Sequence, residues 1–425
     1  MSTFRTTPGT RDILPPEAAR WRRFTSEFAD TVEAAGYEYF IPPMFEDIGV
    51  FHRLGDATDV VTKEMYDFID KGERHIALRP EHTASVCRAF AEHRPIAPWK
   101  VWYSGSNFRY EKAQAGRYRQ FDQVGVEVLG VDDAHLDVEV IALAWKFYER
   151  LGLTDVTLIM NSLGDSGDRE RYVSALSDYF TANISSLTEE SQVTLQRNPL
   201  RVLDSKRDED RATIANAPKI SEYLSQEAQE HFAAVCDGLQ VLGVPFVVNE
   251  FLVRGLDYYR RTTFEFVSGS LAGAQNAIGG GGRYDGLVED LGGPKTAGIG
   301  FALGVDRTLL ACDAEGVFAS SSGSLDAFVI DVVDGVTALK LCSQLADAGF
   351  AVDRGFDGRS MKSQMKAADR AGARCAIIIG EDEHRAGTCT VRDLVHATQT
   401  TISQSEIAAH LATVVGSRTP RRPTS

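Results

Sequence analysis

Apolar residues recur at helical spacing behind Pro15-Pro16, which predicts an amphipathic helix over 17–35 that stops at Gly36. The next apolar run, "YEYFIPPMFED", is aromatic and β-branched, but Pro42 and Pro43 interrupt it. A Pro-Pro pair cannot donate to a central ladder, so this stretch is an edge or interface element. A strand over 75–79 and a helix opened by Pro80 follow, then a hairpin over 100–130, a helix over 137–150 and a short strand over 155–161. Residues 165–235 are polar and mostly helical in pattern and break the strand rhythm on both sides, so they read as an inserted unit. Strand signals return at 245–251 and 262–268. The run Gly279 to Gly282 predicts a loop, and residues 300–312 an apolar helix. "SSSGS" at 320–324 is a linker. Beyond it, "LDAFVIDVV", a helix over 336–348, "FAVDRG", a helix over 359–371 and "RCAIIIGED" alternate strand with helix. That is the pattern of a small α/β domain with buried parallel strands. The tail "GSRTPRRPTS" is expected to be disordered.

The hairpin, "FRYEKAQAGRYRQFDQVGVEVLG" from Phe108 to Gly130, carries the densest chemistry. Side chains on its return strand alternate between faces. Tyr118, Gln120, Asp122, Val124, Val126 and Val128 share one face, and its valines belong against a core. The other face, with Arg117, Arg119, Phe121, Gln123, Gly125 and Glu127, becomes the floor of a polar pocket, shared by Arg109 and Glu111 from the outgoing strand. Guanidinium forks match phosphate oxygens, a Phe face stacks on a purine, and an amide and a carboxylate suit a donor-rich small molecule. A solvated, salt-bridged hairpin is the commoner use of such alternation, but the valines fix which face is polar.

Three further stretches stand out. In "FLVRGLDYYRRTTFEF" (251–266), Arg254 and Asp257 sit beside two tyrosines, just before a strand; since adjacent strand residues face opposite ways, one of Tyr258 and Tyr259 is expected to be core packing. "IGGGGRYDGLVEDLGG" allows close backbone approach to a ligand. "AGIGFALGVDR" has the wrong spacing for a dinucleotide fingerprint, and "GGPKT" lacks the full phosphate-loop pattern. On a helix, Arg359, Lys362, Lys366, Arg370 and Arg374 of "RSMKSQMKAADRAGAR" would form one cationic stripe, either a solvated face or a polyanion contact.

Composition narrows the function classes. The 425 residues allow two or three domains. The formal charge of -15 resides in the first 324 residues, because residues 325–425 carry 12 basic and 12 acidic side chains. A nucleic-acid partner therefore requires local patches. The six cysteines are scattered without a CxxC pair, and the nine histidines form no HExxH. Reduced thiols in a cytoplasmic protein, and no metal held by protein ligands, are the expectations. No apolar run is long enough to span a bilayer, and the N-terminus has neither a signal-peptide core nor a transit-peptide composition.

Taken together, these motifs resemble histidyl-tRNA synthetase, a class II aminoacyl-tRNA synthetase family, over nearly the whole chain. "GYEYFIPPMFED", with Pro43 and Glu46, is similar to class motif 1, "FRYEKAQAGRYRQFDQVGVE" to motif 2 and "GIGFALGVDR" to motif 3. "LRPEHT", "RGLDYY" and "GGGGRYDGL" resemble the segments particular to the histidine enzymes, and "NPLRVLDSK" their inserted domain. Departures are confined to "RLGDATDVV" and the middle of "PEHT". The resemblance implies an α+β fold, with a class II synthetase-like antiparallel sheet core flanked by helices, a helical insertion and a C-terminal α/β anticodon-binding domain. The expected divisions are 1–164 and 236–319 for the catalytic core, 165–235 for the insertion, 325–415 for the anticodon domain and 416–425 for a tail. The implied partners are L-histidine, ATP with Mg²⁺, tRNA(His) and a second copy of the chain, with no membrane.

Position by position, the resemblance implies that Arg109 holds the ATP α-phosphate and substrate carboxylate. Glu111 and Phe121 contact adenine, Arg117 joins the ATP site, and Arg307 meets the γ-phosphate. Glu81, Thr83 and Gln123 receive the α-amino group of histidine. Glu127 and Tyr259 address the imidazole nitrogens, and Tyr258 and Tyr284 line the pocket. Arg254 stands at the reacting centre. Gln114 meets the tRNA acceptor end, and Arg359, Lys362 and Lys366 contact tRNA. Two other readings remain: a non-catalytic paralogue that regulates ATP phosphoribosyltransferase, and an RNA-binding module without adenylation.

Overall fold

The computed structural model describes residues 4–53, 61, 63–112, 114, 116–271, 276–320 and 325–416. Most of "RLGDATDVV", nearly all of the "SSSGS" linker and the tail beyond Gly416 lie outside the described residues. The chain divides into two compact units, Met1–Ala319 and Ser320–Ser425.

The first unit contains β1 (Glu38–Tyr39), β2 (Phe45–Asp47), β3 (Tyr66–Ile69), β4 (His75–Leu78), β5 (Trp99–Phe108), β6 (Gln120–Leu129), β7 (Val156–Ser162), β8 (Val247–Val248), β9 (Arg260–Ser268), β10 (Ala277–Arg283) and β11 (Gly298–Gly304). Eight of them form one sheet in the order β1-β5-β6-β11-β10-β9-β7-β8. Its six inner strands are antiparallel, and only the two-residue edge strands β1 and β8 pair in parallel. One face is closed by helices Glu17–Glu33 and Ala134–Leu151. Phe24, Phe28 and Phe147 stack edge-on there over Val124, Val126, Val128 and Phe301. The valines of the hairpin thus face the core as their alternation predicts. Helix Thr83–His93 and the three-stranded sheet β2-β4-β3 lie against the other side, around Tyr103, Tyr258, Tyr259 and Tyr284.

Several expectations need correction. Gly279 to Gly282 are not a loop but the middle of β10, paired on both sides with β9 and β11. Residues 298–304 form β11, and the helix expected over 300–312 starts only at Val305. The cause is tertiary: low intrinsic strand propensity is overridden where a strand on each side supplies a ladder partner. The strand expected over 245–251 shrinks to Val247–Val248, and the helix expected from Pro80 begins at Thr83. Pro42 and Pro43 separate β1, at the edge of the large sheet, from β2, in the small one. Tyr39, Ile41, Met44 and Phe45 are exposed around them.

Between β7 and β9 the chain forms helices Ser166–Ala182, Glu189–Arg197, Asp208–Ala215 and Gln226–Val241. The first three, with the Pro199–Asp204 turn, enclose a small core of Tyr172, Leu176, Phe180, Leu195, Leu200 and Val202.

The second unit contains β12 (Ala327–Asp331), β13 (Val352–Arg354), β14 (Cys375–Ile379), β15 (Thr388–Asp393) and β16 (Gln399–Ser403), ordered β13-β12-β14-β15-β16. The first three are parallel, as expected, and β12 and β14 are buried, whereas β13 at the sheet edge is partly exposed. The hairpin β15–β16 adds an antiparallel flank that the sequence pattern did not separate from loop. Helix Met361–Arg370 buries Gln364 and Ala368 and exposes Lys362, Lys366 and Arg370, with Arg359 exposed just before it. Arg374 lies past the helix end and is half-buried, so it does not extend the stripe.

Candidate active site

The polar face of β6 forms the floor of the site. A cavity of about 280 Å³ is lined by Arg109, Glu111, Arg117, Phe121, Gln123, Arg254, Glu265 and Arg307. Four guanidinium groups therefore converge on one small volume. Each is aimed by a neighbour. Arg109 donates from Nε to the Pro80 carbonyl at 2.9 Å and lies 5.2 Å over the Phe121 ring. Arg117 pairs with Glu111. Arg254 donates to Glu265 Oε1 at 3.0 Å. Arg307 donates to the carbonyls of Gly116 at 3.1 Å and Ala277 at 3.0 Å. Burial lowers the pKa of Arg109, Arg117 and Arg307, and that of Arg307 is lowered further by Arg117 and Arg109. Such crowding is relieved by an anion, and phosphate oxygens match the fork geometry.

Beside this cavity lies a cage around Glu127. This carboxylate is almost fully buried and accepts from Thr83 Oγ1 at 2.7 Å, Tyr103 OH at 3.2 Å and Tyr284 OH at 2.5 Å. Burial outweighs these donors and pushes its pKa up to about 8. Glu81 accepts from the backbone N–H groups of Thr83 at 2.7 Å and Ala84 at 2.7 Å, capping the helix, and burial raises its pKa too. Gln123 accepts from Asn107 Nδ2 at 2.6 Å, which leaves its own amide N–H groups directed elsewhere. Tyr259, in one buried cluster with Tyr103 and Tyr284, has its ring centre 6.0 Å from the Arg254 guanidinium and so links the cavity to the cage.

The glycines of the central strands hollow out this site. Gly280 lies opposite Glu265, and a Cβ there would stand 2.8 Å from the Arg254 guanidinium nitrogens. Gly300 lies opposite Glu127, and a Cβ there would overlap its Oε2. Gly125 lies opposite Tyr103 and makes room for its phenol.

The structure thus brings together Arg109, Glu111, Arg117, Phe121, Gln123, Arg254 and Arg307, and, beside them, Glu81, Thr83, Glu127, Tyr258, Tyr259 and Tyr284. The expectation that Tyr258 and Tyr259 point apart does not hold. Both are buried in the same cluster, with rings 4.6 Å apart, and Tyr258 also meets Tyr284 edge-on at 5.9 Å. They precede β9 in an irregular turn, where strand alternation does not apply. Arg119 also departs from the pocket floor: its guanidinium lies 3.8 Å over the Tyr110 ring, its Nε donates to the Glu111 carbonyl at 3.2 Å, and its backbone N–H donates to the Gly9 carbonyl. Gln114 is exposed at the hairpin tip, bridged to Arg117. Sequence reasoning missed Tyr103 and Glu265. Counting the hairpin register back from the turn pairs Tyr103 with Gly125, two residues from Glu127 on the same face, and could have found the first.

A second, larger cavity of about 720 Å³ opens from Arg109, Glu111 and Arg117 toward the inserted unit. Lys63, Arg197, Arg201, Lys206 and Arg207 make it predominantly basic. Asp204, with 43% of its side chain exposed, sits there as well.

An antiparallel six-stranded core closed by helices on one face, with an arginine-lined cleft over a long hairpin on the other, is the architecture of the class II aminoacyl-tRNA synthetases. Within that class, the chain belongs to the histidyl-tRNA synthetase family, whose model matches residues 9–308, and an anticodon-binding-domain model matches residues 326–413. The histidine–tRNA ligase of Saccharopolyspora erythraea is 46% identical over 415 residues, covering 96% of this chain and 98% of that protein. That of Streptococcus equi is 45% identical over 414 residues, covering 96% and 97%. The crystal structure of apo Staphylococcus aureus histidyl-tRNA synthetase superposes with a TM-score of 0.81 at 35% identity, covering 96% of this chain and all of that one. A Bacillus halodurans structure titled as an ATP phosphoribosyltransferase regulatory subunit/histidyl-tRNA synthetase shares the fold alone, at 20% identity and a TM-score of 0.63, covering 87% of this chain and 97% of that one.

Proposed function

We propose that this protein is a histidine–tRNA ligase. It joins L-histidine to the α-phosphate of ATP, releasing pyrophosphate, and transfers the histidyl group to the 3′-terminal ribose hydroxyl of tRNA(His). The observation that carries this reading is the meeting, at Tyr259, of a cationic cavity with a carboxylate-and-phenol cage. The gathered Arg109, Arg254 and Arg307, together with an anticodon-binding domain, count against a regulatory paralogue.

In the first step the attacking group, a carboxylate, is already an anion, so no general base is required. Positioning two anions and neutralising charge at phosphorus are the catalytic tasks. Arg109 and Arg254 perform them, Arg117 and Arg307 hold the outer phosphates, and Phe121 and Glu111 receive adenine. An imidazole has one donor and one acceptor when neutral. Glu127 and Tyr259 serve the two nitrogens, Tyr258 and Tyr284 wall the ring, and Glu81, Thr83 and Gln123 take the α-amino group. Among the described residues no three metal-ligating side chains cluster. Mg²⁺ would fit such a site, held largely through phosphate oxygens and water, with Glu265 of the cavity lining as its carboxylate partner. When bound it neutralises phosphate charge.

The acceptor end of tRNA enters along the basic cavity beside Gln114. In the second unit Arg359, Lys362 and Lys366 contact phosphates. Arg354, 4.6 Å over the exposed Phe356 ring, marks an aromatic face for an unstacked base. The domain division follows the same lines: 1–164 and 236–319 as the core, 165–235 as the insertion, 325–415 as the anticodon domain and 416–425 as a tail. The exposed apolar row Tyr39, Ile41, Met44 and Phe45 fits a second copy of the chain, which sedimentation equilibrium would reveal as a dimer. Among the described residues no helix is long and apolar enough to cross a membrane. The six cysteines are free thiols, which fits a reducing cytoplasm.

The test is histidine-dependent ATP–pyrophosphate exchange, compared across amino acids. Arg254→Ala is expected to lose roughly 10²–10³ in adenylate formation, the scale of removing one preorganised charge donor. Exchange within a few-fold of wild type in that variant would remove Arg254 from the mechanism.

A further inference from the structure

We propose that Asp257 is a positioning residue that latches the loop carrying Arg254, Tyr258 and Tyr259 to the inserted helices, so that docking of the inserted unit sets the shape of the histidine pocket. The inference rests on the reading of that pocket given above and adds a control to it.

Asp257 is central in "RGLDYY" but does not face the pocket. Its carboxylate accepts from Arg201 at 3.1 Å, and Arg169 and Asn198 approach it at 3.5 Å. Arg169 also donates to its backbone carbonyl at 2.5 Å. All three partners belong to the inserted segment: Arg169 to its first helix, Asn198 and Arg201 to "NPLRVLD". Two cations and an amide from 56 to 88 residues away in sequence thus converge on one loop residue.

The packing has the same connectivity. Phe251 and Val253 lie against the core of the inserted unit. Val253 and Leu256 lie against the cluster that holds Tyr258, Tyr259 and Tyr284. The loop has no strand ladder of its own before Arg260, so these contacts are what fix it. Arg201 also approaches Asp204 at 3.7 Å, and Asp204 lies within electrostatic range of Arg254 and Glu265. The ion pairs are half-buried, where a charge left unmatched costs more than it does on the surface. Loss of the Asp257 carboxylate frees the loop at its midpoint, two residues from Tyr259 and three from Arg254.

The experiment uses the full-length chain in pyrophosphate exchange without tRNA, with histidine and ATP varied separately. Asp257→Asn and Arg201→Ala are each expected to raise KM for histidine roughly 10- to 100-fold, the scale of misplacing a binding group from a distance. KM for ATP should stay within a few-fold. The double variant should be no worse than the poorer single one, because both remove one interaction. Arg211→Ala, on an exposed helix of the same unit, should match wild type. If Asp257→Asn lowers the yield of folded protein, Arg201→Ala carries the test with the loop sequence intact. An unchanged KM for histidine, an equal rise in both KM values, or multiplicative effects in the double variant would overturn the latch while leaving the ligase reading in place. A wild-type chain without histidine-dependent exchange would overturn that reading, and the latch with it.

Discussion

Glu127 has an unusual job for a carboxylate: it is buried, holds three hydroxyl donors, and still has its pKa raised from 4.5 to about 8 by burial. In the free protein it is protonated at neutral pH. Because an unfolded chain would lose that proton near the ordinary value, this group makes folding stability fall as pH rises between the two pKa values. Binding follows from the same proton. A free imidazole titrates near ~6.5. Between about 6.5 and about 8 the carboxyl brings one proton and the ring none, which is what a ring–carboxyl pair shares. Above that window the pair must take up a proton, and below it must release one. KM for histidine in pyrophosphate exchange is therefore expected to pass through a minimum, rising about tenfold per pH unit on the alkaline side. Glu127→Gln should abolish the alkaline limb and cost about 10²-fold in kcat/KM for histidine, the scale of one hydrogen bond to a charged group. A profile flat from pH 6 to 9 would contradict the assignment.

The strands show where sequence pattern is a sufficient guide and where it is not. The β5–β6 hairpin was legible because its valines alternate against polar residues, and that alternation also placed Phe121, Gln123 and Glu127 on one surface. The β10 strand was not legible. Its four consecutive glycines have no side-chain periodicity, and only the neighbouring strands reveal why they are there. Gly280 leaves space for the Arg254 guanidinium and Gly300 for the Glu127 carboxylate. The Tyr258–Tyr259 pair was misjudged for the opposite reason: strand alternation was applied to a turn. Partners of distant origin, such as Glu265 for Arg254 and Arg201 for Asp257, leave no local trace at all. Gly300→Ala is thus expected to act as an active-site substitution. The overpacking of about 1–3 kcal/mol falls on Glu127 and on the Val126 carbonyl, 2.4 Å from the added Cβ, and should raise KM for histidine more than KM for ATP. Equal effects on both substrates would mean that the strand itself had shifted.

At the scale of the whole molecule, the charge distribution matters most. The first 324 residues carry the entire formal charge of -15, while the remainder is balanced. The basic stripe of the second unit, Lys362, Lys366 and Arg370 with Arg359 before them, is exposed. The phosphate contacts proposed there would make tRNA affinity fall steeply with salt. Reversing Lys362 and Lys366 to Glu should weaken tRNA binding and flatten its dependence on salt concentration, with pyrophosphate exchange unchanged. Unaltered tRNA affinity at low salt would reduce the stripe to a solvated face. The net charge of the first 324 residues has a further consequence. Bulk RNA, whose only offer is its phosphates, is repelled by that acidic segment and held by the exposed stripe alone, so its grip should be weak and lost at modest salt. An RNA that also reaches the arginine-lined cavities gains attraction at a second place and should outlast unrelated transcripts as salt rises.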